Sequence, residues 1–218
     1  MVRIYEAIYH EPFPARQALI SADAMPQGVI QQLEEHSILL YPHYGSREMA
    51  FGGAVTCCAH HGMHLRENHV IAQIVDENGK SLPDGQWGEL IITTVDMELF
   101  PLIRYKTGDK ARFLKEDCAC QGLTRRLDWV HRMDANAALM EQLDSVFFCM
   151  ESVVDVKVRK KGDNVRFDFL VLRPVKKEEI TALLKTIGWN TTWEFSQKVI
   201  DEEDFPLYRG KRIVIEKE

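Results

Sequence analysis

The sequence predicts an α/β section, then an antiparallel β section, then a small α+β domain. Three observations carry this expectation. Apolar runs in the order strand, helix, strand occupy residues 17–41. Two β-rich runs bounded by Asn-Gly and Asp-Gly turns occupy residues 69–94. From residue 135 onward, helix-period and strand-period segments alternate.

Gln17-Ala-Leu-Ile-Ser-Ala-Asp23 reads as a short buried strand ending in a polar loop. Pro26 suits the first turn of a helix, with Val29, Ile30 and Leu33 on one face. Ile38 to Tyr41 is a second strand, expected to end before Pro42. Strand, helix, strand in this order predicts a parallel pair within a larger sheet. His69 to Val75 and Gly88 to Thr94 are strands of the antiparallel section, with turns at Asp76–Gly79 and Pro83–Gly85. Beyond Asp128, residues 135–150 form a helix with Leu139, Leu143, Val146 and Phe147 at helical spacing. Strands follow at 153–158 and 165–172, with Gly162-Asp-Asn164 turning between them. A helix over 176–187 ends at Gly188, and 195–200 is a last strand.

The 218 residues, 45% hydrophobic and 28% charged, suit one large or two small globular domains. A net charge of -6 argues against nucleic acid or an anionic membrane as partner. No apolar run reaches the ~18 residues that a membrane-spanning helix needs. The first residues lack a basic-then-apolar leader pattern, so a cytoplasmic protein is expected. Five cysteines, an odd number, argue against a disulfide framework.

Three constellations hold chemistry. The first is Arg104-Tyr105-Lys106-Thr107-Gly108-Asp109, read as a compact loop after a Pro101-led turn. Gly108 permits a tight turn and Asp109 presents a carboxylate able to accept two hydrogen bonds from a vicinal diol such as a ribose. An acidic surface turn gives the same dipeptide. The second is Tyr44-Gly45-Ser46-Arg47-Glu48, where a ring beside exposed backbone suits stacking on a flat base. Glu48 can reach a phosphate-bound metal. The third is Cys57-Cys58-Ala-His60-His61-Gly-Met-His64 with Cys118-Ala-Cys120. Two close pairs on separate loops can converge on a tetrahedral zinc ion, and the spacing leaves open which first-loop cysteine and histidine take part. Cys149 in Val146-Phe-Phe-Cys-Met150 reads as a small buried hydrophobe.

Leu102-Ile-Arg-Tyr-Lys-Thr-Gly-Asp109 resembles the ribose-binding motif of adenylate-forming enzymes, closest to phenylacetate-CoA ligases. Tyr44-Gly-Ser-Arg-Glu48 resembles that family's Tyr-Gly-x-x-Glu motif, Thr124-Arg-Arg-Leu-Asp128 its hinge motif, and Gly210-Lys-Arg212 its C-terminal lysine motif. The resemblance runs in family order from near Ala18 to the end. It implies the C-terminal part of the large adenylate-forming domain over residues 1–127, with the zinc site, and a small lid domain over 128–218. It implies that Tyr44 and Gly45 receive adenine, that Asp23 lies on the adenine side, and that Asp109 holds ribose. Arg126 would contact ribose or phosphate, Asp128 would be the hinge, Glu48 would assist Mg2+ and Lys211 would serve adenylation. Some relatives have a similar Cys/His then Cys-x-Cys arrangement. Alignment on Gly62-Met-His64 implies Cys57, His64, Cys118 and Cys120 as structural zinc ligands, with His60 or Cys58 as substitutes.

The implied activity is ATP-dependent conversion of a small carboxylic acid to an acyl adenylate, then to an acyl-CoA. ATP or AMP, Mg2+ and CoA are the implied cofactors. A complete ligase of this kind also needs a Ser/Thr/Gly-rich phosphate loop upstream. The thirteen glycines here are scattered and none precedes Gly28. The chain alone is therefore expected not to adenylate its acid at a useful rate, and to self-associate or bind a partner chain over exposed strand edges. The alternative is a catalytically silent, zinc-stapled module that binds a nucleotide or a partner.

Overall fold

The computed structural model describes residues 2–21, 27–49, 52–95, 97–98, 101–201 and 214–216, with backbone alone at 27 and 214–216. They fall into two compact units. One comprises Met1–Arg16, Met25–Ile38 and Ala135–Glu218; the other comprises Gln17–Ala24 and Leu39–Asp134. The expected hinge residue Asp128 thus lies inside the second unit, and the break follows Asp134.

The first unit holds helices α1 (Val2–Tyr9), α2 (Gln27–Glu35), α3 (Ala135–Phe147) and α4 (Lys177–Thr186). Its sheet is built from β10 (Val153–Lys161), β11 (Asn164–Val171), β12 (Thr192–Val199) and β13 (Val214–Glu216), in the order β12-β11-β10-β13. β10 and β11 are an antiparallel hairpin, and β12 and β13 flank it in parallel. Alternation along β11 turns Val165, Phe167 and Phe169 inward. There they meet Leu143 and Phe147 of α3 and Ile180 and Leu184 of α4. Phe147 stacks edge-on against Phe167 and Phe169, with centroids 5.1 and 4.9 Å away. α3 and α4 each present their apolar stripe to this face, which is why the helix–strand–strand–helix–strand order closes into one core. Cys149 is exposed instead of buried, its thiol donating to the Ser145 carbonyl just past the end of α3.

The second unit has two sheets. One orders β1 (Gln17–Ile20), β2 (Leu39–Tyr44), β3 (Ala54–Thr56), β4 (Met63–Leu65) and β8 (Arg126–Leu127) as β1-β2-β3-β4-β8. The other orders β5 (Val70–Val75), β6 (Gly88–Thr94), β7 (Tyr105–Ala111) and β9 (His131–Arg132) as β5-β6-β7-β9. Met63, Leu65 and Leu127 from the first sheet share a core with Ala72, Ile74, Leu90, Ile92 and Phe113. β1 and β2 are parallel, as expected, and β1 is an open edge with Leu19 66% exposed.

Two further local expectations change. β2 continues through Pro42 to Tyr44. Pairing with β3 begins only at His43, so Pro42 stands where one flank of β2 has no neighbour to bond. Residues 105–109 are not a loop but the first part of β7. Its ladder with β6 shifts register between Glu89 and Ile91, and Gly108 at φ 73° takes up the irregularity. Among the described residues no helix is long and apolar enough to cross a membrane.

Candidate functional site

Asp109 is the centre of the first cluster. The bulge at Gly108 turns its carboxylate inward, where it is 5% exposed. Tyr44, at the end of β2, donates its phenol O–H to Asp109 Oδ2 at 2.6 Å. Arg132 of β9, the antiparallel partner of Asp109, places Nη1 3.1 Å from Oδ1. The Thr107 hydroxyl accepts the Asp109 amide at 3.1 Å. Both carboxylate oxygens thus have one donor each and keep lone pairs for further donors. Burial first, then the adjacent Asp109 charge, pushes the Tyr44 phenol above its ordinary range. Tyr44 is therefore a neutral donor and a half-buried ring. Gly45 follows it, and a Cβ there would lie 2.9 Å from the Gly52 Cα, so only glycine lets the two backbones approach.

Glu48 lies in the 3-10 turn Arg47–Met49 that follows. Its carboxyl is held below the usual range, first by its own backbone amide, then by the Ser46 hydroxyl, with Arg47 and Arg132 adding positive charge. Arg132 thus influences both acidic residues of the cluster, and it was missed by the sequence reading. The signal was present: Arg132-Met133-Asp134 repeats the Arg-x-Asp spacing of Arg126-Leu127-Asp128 six positions on.

Those earlier residues are used differently. Arg126 is 4% exposed and donates to the carbonyls of His61 at 2.7 Å and of Glu116. It is not among the groups around Asp109. Asp128 accepts from Arg112 at 2.7 Å and from the Trp129 amide at 2.8 Å, within the second unit. Asp23 and Lys211, like Gly210 and Arg212, lie outside the described residues.

The second cluster gathers Cys57, His64, Cys118 and Cys120, whose donor atoms all lie within 4.8 Å of one another. Cys57 Sγ is 3.5 Å from Cys118 Sγ, and Cys120 Sγ is 3.3 Å from His64 Nε2. Zn–S bonds of ~2.3 Å in a tetrahedron put sulfurs about 3.8 Å apart, so the donors are at a compatible spacing. The two cysteine turns are built alike. The His60 amide closes on the Cys57 carbonyl at 3.0 Å and the Gln121 amide on the Cys118 carbonyl at 2.9 Å. Both closing residues have positive φ, 49° and 62°. Ala59 N–H points at Cys57 Sγ and Gly122 N–H at Cys120 Sγ, at 3.4 and 3.3 Å. The Cys118 thiol is lowered to about 6, first by the Cys120 amide, with His64, Cys120 and Cys57 adding to it against burial. A Cβ on Gly122 would lie 2.8 Å from His64 Cε1, so glycine is required there. Cys58 is exposed, and His60 Nδ1 faces the Leu40 carbonyl at 3.0 Å, so neither substitute belongs to the cluster.

A stretch of 114 residues is 31% identical to phenylacetate-coenzyme A ligase of Thermus thermophilus, covering 50% of this chain and 26% of that enzyme. A stretch of 74 residues is 40% identical to the enzyme of the same name from Aromatoleum evansii, covering 33% of this chain and 17% of that one. Over these stretches the chain is similar to phenylacetate-CoA ligases. No protein-family model matches it. Among solved structures, 2-hydroxyisobutyryl-CoA ligase in the postadenylation state superposes with a TM-score of 0.67 at 14% identity, over 93% of this chain and 48% of that one. The o-succinylbenzoate CoA synthetase of Bacillus subtilis in complex with AMP gives 0.54 at 14% identity, over 84% and 42%. The fold is therefore that of adenylate-forming ligases, and the chain spans about half the length of these structural neighbours and about a quarter or less of the curated relatives.

Proposed function

We propose that this chain forms the nucleotide-handling and lid portion of an AMP-forming acid–CoA ligase. The observation that carries the proposal is the buried Asp109 carboxylate, held by Tyr44 and Arg132 just after the bulge of β7. A carboxylate so positioned accepts hydrogen bonds from the two ribose hydroxyls of an acyl adenylate, while the Tyr44 ring packs against adenine. Arg132, which stands beside Asp109, would meet the nucleotide phosphate in place of Arg126. Glu48, kept ionised, assists Mg2+ on the phosphates. The resemblance assigns Lys211 to charge stabilisation as pyrophosphate leaves. The hinge that lets the lid change between half-reactions falls at the Asp134–Ala135 junction.

The substrate is a small carboxylic acid, which becomes an adenylate and then, on attack by the CoA thiol, a thioester. ATP activation further needs a phosphate-cradling loop that these residues do not contain. The open edge of β1 is where the remaining strands of a ligase sheet would continue. Cys57, His64, Cys118 and Cys120 would hold a structural zinc ion, with all four coordination positions filled by protein.

Calorimetric titration with a non-hydrolysable phenylacetyl-adenylate analogue tests the reading, because that ligand needs no triphosphate loop. Binding at micromolar affinity or better is expected, weakened roughly 10- to 100-fold in Asp109→Ala through loss of charge-assisted hydrogen bonds. A folded chain that binds no analogue would refute the proposal and leave the zinc-stapled interaction module in its place.

A further inference from the structure

The segment Thr124-Arg125-Arg126 has no place in the nucleotide cluster, yet Arg126 is buried and both Thr124 and Arg126 are richly bonded. Thr124 turns both its carbonyl and its hydroxyl toward His64 Nδ1, at 3.2 and 3.0 Å. That contact fixes the ring so that Nε2, the other nitrogen, faces Cys120. Arg126 is the cross-strand partner of His64 in the β4–β8 ladder, so the two side chains share a face. Its guanidinium bonds the His61 carbonyl in the Cys57–His64 turn and the Glu116 carbonyl in the loop leading to Cys118. One buried cation thus ties together the two loops that supply the cluster. Only backbone carbonyls and the His61 ring accept from it among the described residues, with no carboxylate to balance its charge. With zinc bound, three thiolates, a neutral imidazole and Zn2+ would add up to one net negative charge, which would supply that balance.

We infer that Thr124 and Arg126 are positioning residues of the metal centre: Thr124 orients His64, and Arg126 clamps the two ligand loops and compensates the charge of the zinc–thiolate group. The inference rests on the zinc reading above. It removes this segment from hinge and nucleotide duty and gives it a different role. Partners of this kind usually change metal affinity by about 10- to 100-fold when removed.

The test is zinc affinity by competition with a chromophoric chelator, on the full chain and on Thr124→Val, Thr124→Ser and Arg126→Lys. The Co2+-substituted forms report ligand geometry through their visible spectra. Thr124→Val is expected to weaken zinc binding about tenfold or more and to shift the Co2+ bands, with Thr124→Ser restoring both. Arg126→Lys keeps the charge but loses the two-pronged clamp, and should also weaken zinc about tenfold. Adenylate-analogue affinity should stay within about twofold in the zinc-loaded variants, because neither residue touches the Asp109 cluster. If the parent binds zinc tightly and Thr124→Val and Arg126→Lys match it within a factor of two, this inference falls and the zinc reading stands. If the parent binds no zinc, both fall together.

Discussion

Arg126-Leu127-Asp128 and Arg132-Met133-Asp134 share residue types and spacing, and the fold uses them in opposite ways. Arg126 lies on β8, in the sheet that includes β4, and is buried against backbone carbonyls. Arg132 lies on β9, in the sheet that includes β7, and is exposed beside the Asp109 carboxylate. Asp128 is committed to Arg112, while Asp134 stands at the end of its unit. Identical local chemistry therefore becomes scaffold in one case and a candidate ligand contact in the other. The lesson is that a short charged motif acquires its role from the strand that receives it.

Three measurements break or sharpen this contrast. Zinc removal acts on the Arg126 side and should have the largest effect. Chelation at neutral pH is expected to lower the thermal midpoint of the second unit on the order of 10 °C, since a ligand held well above its dissociation constant contributes about 3 kcal/mol or more to stability. A midpoint unmoved by chelator in differential scanning calorimetry would mean that Arg126 braces loops needing no metal. Arg132→Met acts on the other side. Adenylate-analogue affinity should fall roughly tenfold or more, with zinc content by elemental analysis unchanged. Lost zinc with retained analogue binding would reverse the two assignments.

The smallest effect belongs to Tyr44→Phe, which removes one hydrogen bond to Asp109 and should cost about 1 kcal/mol of stability. Its pH dependence is diagnostic. The folded state holds the Tyr44 proton above the ordinary phenol range, while the unfolded chain releases it near pH 10. The Tyr44 contribution is thus complete below about pH 10 and is lost as pH rises beyond that. Urea unfolding between about pH 9 and 11 should fall more steeply for the parent chain than for Tyr44→Phe. Parallel slopes would show that the phenol is solvated and the Tyr44–Asp109 bond is not maintained.

Much of the fold was legible because it rests on period and punctuation. Phe167 and Phe169 alternate, Leu143 and Phe147 recur at helical spacing, and Gly79 and Gly85 adopt the positive φ of 78° and 87° that their turns need. β7 was not legible. Tyr105-Lys-Thr-Gly-Asp-Lys is polar, with a glycine in the middle, and becomes a strand only because β6 and β9 offer it partners on both sides. Its bulge is what buries Asp109.

The sequence by itself determined the strand–helix–strand start, the β5–β6 pair, the α3 to β12 order with its apolar faces, the cysteine pairs, and the Tyr44 and Asp109 motifs, because each depends on residues near one another along the chain; it did not show α1, β3, β4, β8, β9 or β13. Residue spacing left the first-loop ligands open, and tertiary structure brings Cys57 and His64, the two that the resemblance implied, and not Cys58 and His60, to Cys118 and Cys120. It also decided that Arg132 rather than Arg126 answers Asp109. Those choices depend on which strands lie side by side across 60 residues or so of intervening chain, and ladder register, unlike periodicity, is a property of the pair of strands.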